Sequence, residues 1–343
     1  MKQTTLRKLP KVELHRHLDG SVRFDTIKEL AKYHGLDLDV QSEEELLRKT
    51  KIKEPMNNLE AVLDAFWTTQ KVLCSYEAIK RITFENVEDA FHDGVKLLEL
   101  RFAPVFIAHK KKLAFDEIFE GVLDGITQGM ETYDLQVGLI HIIPRPLEPH
   151  RHKESTTEFL RYRKSIHNKA HRLCGFDLAD SETATKTEDF VPLVQMAREA
   201  GVGVTVHTGE NTDAGYVQKT MDAYAPDRIG HGIKIAGNHE IMEVVKEKNI
   251  HLEICPTSNW LTRSVNAKEN HPLPELYREG ISLSINSDDP HLMDIDLVTE
   301  YELAQTYFDF TLDDFYEMNK RAITHSFLDS DAKEYIEKNY FNI

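Results

Sequence analysis

Two histidines separated by one residue stand near the N-terminus of the sequence. His15 and His17 lie in the run 12–18, whose alternating apolar residues are typical of a β-strand. Because residues two apart on a strand share a face, both imidazoles can point at one atom while Arg16 points away. Taken alone, an H-x-H pair more often marks two histidines within a core than a metal site. The pair predicts a metal site only if further donor residues lie close to it.

Such donors stand where later apolar runs end. His207 and Glu210 follow one run, His231 ends another, and Asp288 and Asp289 follow a third. Imidazole and carboxylate groups without thiolates are ligands that Zn²⁺ accepts in catalytic sites. Zinc lowers the pKa of a bound water toward about 7, and the surplus histidine and carboxylates could then move or orient protons. The combination predicts metal-assisted hydrolysis if the fold brings these residues together.

A (β/α)8 barrel would bring them together. Short β-rich runs occupy residues 12–18, 95–102, 136–143, 172–178, 201–207, 228–231, 250–255 and 281–286. Helical patterns lie between them, for example at 76–92, 116–133, 190–200, 240–248 and 273–279. Alternation of this kind builds parallel sheets, and eight units close a TIM barrel, whose strand C-termini meet at one rim. The predicted fold class is therefore α/β, a TIM barrel.

The sequence predicts one domain over residues 1–343, because no Gly-, Ser- or Pro-rich linker interrupts the series. Extra helices are expected after the first strand, in residues 37–66, which are too long for a simple connection. Several more are expected in residues 294–342, one of them opened by Thr311 with acidic residues in its first turn.

Composition narrows the function classes. The chain has 42 Lys and Arg against 58 Asp and Glu, a formal net charge of −16, which argues against a nucleic-acid partner. The basic stretch 145–172 is interpreted as a solvated helix face. No apolar run approaches a membrane span and no signal-peptide pattern follows the N-terminus. Three cysteines without C-x-x-C spacing suit a reducing compartment, so we expect a cytoplasmic protein, for which a monomer is permitted.

Six segments carry a family resemblance. In chain order they read PKVELHRHLDGS, GFDLA, VHTGE, RIGHG, HLEICPTSN and INSDDP, and they span residues 10–290. This ordered series resembles the signatures of the adenosine deaminase family of zinc hydrolases. The resemblance implies a (β/α)8 barrel with one catalytic zinc, acting on C6 of a purine. Cys255 does not belong to the P-C-x-x-C pattern of the cytidine-type zinc deaminases.

The resemblance also implies the metal ligands. His15, His17 and His207 match the zinc-binding histidines, and Asp288 matches the zinc-binding aspartate. Four protein ligands and a water exceed the usual three protein ligands of catalytic zinc. Five-coordination is therefore an implication of the family and not of the residues themselves.

The remaining rim residues match groups that handle the substrate. Glu210 corresponds to the acid that protonates purine N1, His231 to the histidine that orients the attacking hydroxide, and Asp289 to the aspartate that bonds N7. To act as donors at neutral pH, Glu210 and Asp289 need raised pKa values. Asp288, held by the metal, should stay ionised, so two adjacent aspartates would hold different charge states.

Substrate specificity depends on residues that vary within the family. Asp19 matches the aspartate that contacts the ribose 5′-hydroxyl, although a helix N-cap is the simpler interpretation. Asp180 replaces the glycine whose N–H meets purine N3, and its side chain could crowd the ribose. Phe66 and Trp67, within the segment 59–67 that should cover the ligand, are interpreted either as an apolar subsite or as core. The other histidines are interpreted as surface residues: His34, His92, His109, His150, His152, His167 and His171.

Three hypotheses follow. The first is that the protein is a zinc-dependent deaminase of adenosine and 2′-deoxyadenosine. Its partner is then a small-molecule purine nucleoside. The second keeps the fold and metal but takes adenine, an N6-substituted purine, a 5′-modified nucleoside or aminofutalosine, a change motivated by Asp180. The third is a catalytically silent nucleoside-binding protein, which would be expected to lack a ligand or the proton donor.

Overall fold

The computed structural model describes residues 3–56 and 59–341. Within these residues eight parallel strands form one sheet in the order of the chain. The strands are β1 (Lys11–His17), β2 (Val95–Phe102), β3 (Gln136–Pro144), β4 (Leu173–Ala179), β5 (Gly203–Thr208), β6 (Arg228–His231), β7 (His251–Ile254) and β8 (Leu283–Ile285). Each strand pairs in parallel with the next.

The barrel closes between its first strand and the residues after its last. Arg16 and Asp288 form a parallel bridge, in which the N–H of His17 donates to the carbonyl of Asp288 at 2.8 Å. The N–H of Asp288 donates in turn to the carbonyl of His15 at 3.1 Å. The (β/α)8 prediction is confirmed.

Helices surround the sheet. They are α1 (Gln3–Lys8), α2 (Phe24–His34), α3 (Glu43–Thr50), α4 (Leu59–Gln70), α5 (Tyr76–His92), α6 (Pro104–Lys111), α7 (Phe115–Thr132), α8 (Pro149–Ser165), α9 (Val191–Glu199), α10 (Ala214–Tyr224), α11 (His239–Glu247), α12 (Pro256–Leu261), α13 (Leu273–Arg278), α14 (Leu297–Phe308), α15 (Leu312–His325) and α16 (Ser330–Ile336). In the expected stretch 37–66 the structure has α3 and most of α4, which runs on to Gln70, whereas α2 lies before that stretch. The extra helices expected at the C-terminus are α14 to α16.

Local sequence signals explain where these helices begin. Thr311 opens α15 with a capping box, since its hydroxyl accepts the Asp314 N–H while the Asp314 carboxylate accepts the Thr311 N–H. Ser75 caps α5 through the N–H of Ala78. The apolar core lies between strands and helices, and Ile79 and Ile82 of α5 are fully buried in it. None of the described helices is both long enough and apolar enough to cross a bilayer.

Two predictions of exposure were wrong. Arg145 lies in the basic stretch interpreted as solvated, yet it is buried and donates to the carbonyls of His207 at 2.6 Å and Asp180 at 3.1 Å. His152 was interpreted as a surface residue, but it is buried and its Nε2 donates to the Pro144 carbonyl at 3.0 Å. Both side chains are buried because they bond backbone carbonyls at strand ends, which the charge pattern of the sequence does not reveal.

The interior of the barrel is charged. The buried Glu253 of β7 accepts from Arg101 of β2 at 2.8 Å and from Arg228 of β6 at 2.7 Å. Arg101 also bonds Asp177 of β4 at 2.9 Å. Buried charges persist only when they are paired and hydrogen-bonded, so this network joins four strands by matched partners. It lies directly beneath the rim where the strands end.

Candidate active site

Three histidine side chains converge at the C-terminal rim of the barrel. His15 and His17 lie in the last three residues of β1, and His207 is the penultimate residue of β5. Ring nitrogens of all three lie within 4.8 Å of one another. Oδ1 of Asp288 lies 3.2 Å from Nε2 of His15 and 3.3 Å from Nε2 of His17. Gly230 leaves the room for this approach, since a Cβ there would lie 3.1 Å from the His15 ring.

Buried carboxylates hold two of the imidazoles by their far nitrogens. Nδ1 of His15 bonds Glu253 at 2.8 Å, and Nδ1 of His207 bonds Asp177 at 3.0 Å. These bonds leave Nε2 of each ring facing the cluster, the arrangement that orients metal-ligating histidines. Nε2 of His15 is buried and makes no hydrogen bond among the described residues. A nitrogen and oxygen donor set with such an orphaned atom fits a divalent cation, and zinc suits these donors.

Glu210 lies beside this cluster on the loop after β5. Its Oε2 is 3.6 Å from Nε2 of His231, and its Oε1 accepts the Thr262 hydroxyl at 2.8 Å. Burial raises the pKa of Glu210 to about 8, and the negative charge of Asp288 adds to the increase. Burial and the neighbouring charge therefore both favour the protonated form of this carboxyl.

The loop that carries Glu210 is held by Glu182. One oxygen of the buried Glu182 carboxylate accepts the N–H of Gly209 at 2.7 Å, and the other accepts those of Glu210 at 3.0 Å and Asn211 at 2.7 Å. Gly209 has φ +69°, where its lack of a Cβ avoids strain. A carboxylate with several backbone donors fixes the loop in one conformation.

Adjacent aspartates after β8 have opposite pKa shifts, as the sequence analysis expected. Burial opposes ionisation of Asp288, but the charges of His15 and His17 beside it hold its pKa well below the usual range. Burial, followed by the charge of Asp288, raises the pKa of Asp289 well above its usual range. Oδ1 of Asp289 is buried without a hydrogen-bond partner in the described chain. Gly20 makes room for it, because a Cβ there would overlap that oxygen.

A cavity with about 730 Å³ of empty space contains these groups. Its polar wall presents His17, Asp19, Asp180, His207, Glu210, His231, Ser258, Thr262, Asp288 and Asp289. Its apolar wall is formed by Phe66, Ala103, Phe106, Ile142, Pro144, Ala179, Leu292 and Met293. Phe66 thus faces the cavity, whereas Trp67 packs on Phe106 with ring centroids 4.8 Å apart. Side chains 59–64 of the expected covering segment lie outside the described residues.

Asp19 and Asp180 form two polar positions on this wall. Asp19 is buried, its Oδ2 accepts from Gln70, and its Oδ1 has no partner among the described residues. Burial raises the pKa of Asp19 to about 7. Asp180 has φ +71°, in the left-handed region, and its carboxylate accepts the Ser181 N–H at 2.6 Å. Such a local bond lets an aspartate adopt this conformation where a glycine would otherwise be favoured.

Several residues of the site carried no assigned role in the sequence analysis. Glu182, Asn259 and Thr262 support Glu210 and His231, and Glu253 and Arg145 support the histidines. Asn259 and Glu253 belong to the segment HLEICPTSN, one of the six segments that carry the family resemblance. Nothing in residue type or spacing distinguished them as partners, because their contacts come from strands and loops far apart in the chain.

Comparison with known proteins agrees with this geometry. The family model for adenosine deaminase matches residues 10–340. The chain belongs to the adenosine deaminase family. It is 34% identical over 336 residues to the adenosine deaminase of Clostridium botulinum strain Hall, and the aligned region covers 98% of each chain. Family membership, together with the fold, makes this protein a hydrolytic deaminase.

Solved structures of the family differ in their substrates. The adenine deaminase of Arthrobacter aurescens superposes with a TM-score of 0.87 at 25% identity, covering 97% of this chain and 98% of that one. The N6-methyl-AMP deaminase of Arabidopsis thaliana superposes with a TM-score of 0.85 at 26% identity, covering 99% and 98%. Fold and family therefore establish deamination, but relatives of the same fold act on different 6-aminopurines.

Proposed function

We propose that the protein is a zinc-dependent hydrolase that deaminates adenosine and 2′-deoxyadenosine, giving inosine or deoxyinosine and ammonia. One observation carries the proposal. Ring nitrogens of His15, His17 and His207 lie within 4.8 Å of one another, with Asp288 beside the first two. Glu210, whose pKa burial raises to about 8, lines the same cavity. Hydrolysis at C6 of an adenine ring needs an activated water and a proton for ring N1. The site offers a place for each.

His15, His17, His207 and Asp288 would hold the zinc. Glu253 and Asp177 fix two of these ligands from behind, which favours tight binding of the metal. When bound, zinc supplies Lewis acidity that lowers the pKa of a water molecule. The remaining chemistry belongs to side chains of the protein.

Glu210 is the proposed general acid. Its carboxyl gives a proton to N1, which makes C6 electrophilic and lets the oxygen of water add there. Collapse of the tetrahedral intermediate breaks the C6–N6 bond and forms the C6 carbonyl. One proton of the water leaves with ammonia and the other restores Glu210, so atoms and charges balance.

His231 and Asp289 would orient the reactants. Nε2 of His231 lies 4.0 Å from Oδ2 of Asp288 and borders the space where water would attack. The raised pKa of Asp289 makes it a donor for N7, an acceptor on the purine, and its side chain lines the cavity. Positioning of this kind places C6 against the water, which is a large part of catalysis.

A nucleoside fits this cavity better than a nucleotide. Its wall carries Asp19 and Asp180, and no lysine or arginine lines it among the described residues. Residues 57–64 contain no lysine or arginine either. A 5′-phosphate would bring about two negative charges against these carboxyl groups. Binding of AMP would therefore be opposed.

A nucleoside also fits better than the free base. Oδ1 of Asp19 is buried without a partner, which is costly unless a ligand group bonds it. A ribose 5′-hydroxyl would supply that group, whereas adenine has none. The proposed contacts involve only the base and the 5′-hydroxyl and none to the 2′-hydroxyl. We therefore propose 2′-deoxyadenosine as a substrate as well.

A related 6-aminopurine is the second candidate. Asp180, at φ +71°, stands where the family resemblance places a glycine, so its side chain borders the cavity. A substrate with a different N6 or sugar substituent would meet that side chain differently. A panel of adenosine, adenine, AMP, N6-methyladenosine and aminofutalosine, compared by kcat/KM, separates the candidates.

The proposed function is tested with the purified, zinc-loaded protein. We expect inosine and ammonia from adenosine at the highest kcat/KM of the panel. Glu210→Gln should keep the zinc and lower kcat by about 100-fold or more, because an amide cannot give a proton. Glu188→Gln, at an exposed carboxylate, is the control and should keep full activity. Full turnover by Glu210→Gln would remove the acid assignment.

A further inference from the structure

A chain of buried hydrogen bonds runs behind His231, away from the cavity. Nδ1 of His231 lies 3.1 Å from Nδ2 of Asn259, and Oδ1 of Asn259 lies 3.1 Å from Nε2 of His271. Nδ1 of His271 lies 3.0 Å from the backbone nitrogen of Leu273. The three side chains of this chain of bonds, which we call the histidine relay, are each at most 2% exposed.

The direction of every bond in the histidine relay follows from its last member. A backbone N–H can only donate, so Nδ1 of His271 must accept from Leu273. A neutral His271 then carries its proton on Nε2 and donates to Oδ1 of Asn259. The amide of Asn259 consequently turns its NH₂ group toward His231, whose Nδ1 must accept. His231 is thereby left with its proton on Nε2, the nitrogen that faces the cavity.

Burial supports the neutral form of His271. Its ring is 2% exposed, and burial lowers its pKa to about 3, with the nearby charge of Lys234 acting in the same direction. A neutral imidazole has one donor and one acceptor nitrogen, which is what the two contacts of His271 require. The amide of Asn259 has a matching donor and acceptor.

We propose that Asn259 and His271 are positioning residues that hold His231 in the Nε2–H tautomer, so that His231 donates a hydrogen bond to the oxygen attacking C6. The proposal rests on the proposed function, because it concerns the same attack. In this arrangement His231 presents an N–H to the cavity and has no free lone pair there. It orients the oxygen through donation and does not take its proton.

Nitrogen-15 NMR of histidine-labelled holoenzyme tests the proposal without relying on turnover. Two-bond ¹⁵N–¹H correlations distinguish Nε2–H from Nδ1–H rings, and Asn259→Asp identifies the His231 signal. We expect Nε2–H in the unsubstituted enzyme. In Asn259→Asp the carboxylate accepts from Nδ1, so the tautomer should reverse. An Nδ1–H ring for His231 in the unsubstituted enzyme would overturn the proposal. Where Asn259→Asp does not fold, loss of the signal in His231→Gln assigns it instead.

Kinetics give a second, independent measurement. Asn259→Asp should lower kcat by about 10- to 100-fold while KM and one zinc per chain are kept, as expected when a supporting partner is lost. His271→Gln retains an amide donor and acceptor and should keep most activity. His271→Phe should lower kcat by as much as Asn259→Asp does. Reversal of the tautomer with unchanged kcat would also contradict the proposal. An enzyme that holds the Nε2–H tautomer but leaves adenosine intact would instead refute the proposed substrate.

Discussion

His17 and Asp288 are joined twice, once through the main chain and once through their side chains. The N–H of His17 donates to the carbonyl of Asp288 at 2.8 Å, and Nε2 of His17 lies 3.3 Å from Oδ1 of Asp288. The first contact closes the barrel and the second brings two metal-site donors together. Folding of the barrel thus assembles donors that are 271 residues apart in the chain, since 288 − 17 = 271.

Asp288 adopts φ +64°, a conformation that asparagine tolerates better than alanine. We expect Asp288→Asn to fold with nearly unchanged stability but to bind zinc more weakly, because its neutral amide replaces an ionised ligand. Asp288→Ala should lower the free energy of unfolding by about 1 kcal/mol more, because alanine is strained in the left-handed conformation. Zinc titration and urea unfolding of the metal-free variants measure the two effects separately. Equal stability of Asn and Ala variants would contradict the backbone argument.

Gly20 should be essential for the position of Asp289. A Cβ on Gly20 would lie 1.6 Å from Oδ1 of Asp289, so Gly20→Ala must displace that carboxyl. We expect kcat/KM for adenosine to fall by about 100-fold, a loss typical of a misplacement near 1 Å. Gly215→Ala is the control, since its Cβ meets only Oδ1 of Asp213 at 3.3 Å. Comparable activity of the two alanine variants would show that Asp289 does not need its present position.

The pH profile should report Glu210. Its acid form is the proposed proton donor, so activity should fall as the pH rises through its pKa of about 8. The Thr262 hydroxyl bonds the carboxylate and lowers this pKa, so Thr262→Val should shift the alkaline limb of kcat/KM to higher pH. Thr262→Ser keeps the hydroxyl and should leave the limb in place. A limb that moves to lower pH in the valine variant would be inconsistent with this role.

Much of this site could be predicted from the sequence. His15, His17, His207 and Asp288 stand at strand ends, and a TIM barrel places all strand C-termini on one rim. Strand periodicity was therefore enough to predict that these four side chains lie at one rim. Their division into ligands and proton carriers came from the family resemblance and stays a prediction. The extent of the domain, residues 1–343, also stays a prediction.

The supporting residues could not be predicted in the same way. Glu182 reaches the loop of Glu210 through backbone N–H groups, and a backbone donor leaves no trace in residue type. His271 and Asn259 meet across a loop, 12 residues apart, at a spacing that fits neither a strand nor a helix face. Arg145 was assigned to a solvated surface because its neighbours in sequence are basic. Their roles follow only from the tertiary contacts.

Asp19 should distinguish substrates by their sugar. If it bonds the 5′-hydroxyl, Asp19→Ala should lower kcat/KM for adenosine by about 10- to 100-fold, the value of a hydrogen bond involving a charged group. For 5′-deoxyadenosine, which lacks that hydroxyl, the same substitution should change kcat/KM much less. AMP should be a poor substrate of the unsubstituted enzyme. An equal loss for adenosine and 5′-deoxyadenosine would assign Asp19 a structural role only.

Metal titration measures whether deamination of adenosine depends on zinc. Protein stripped of metal with a chelator is titrated with zinc, and inosine formation from adenosine is measured together with bound zinc. We expect no turnover at zero zinc, a linear rise, and full activity at about one zinc per chain. Full turnover by the metal-free protein, or no turnover of adenosine with one zinc bound, would contradict zinc-dependent deamination of adenosine.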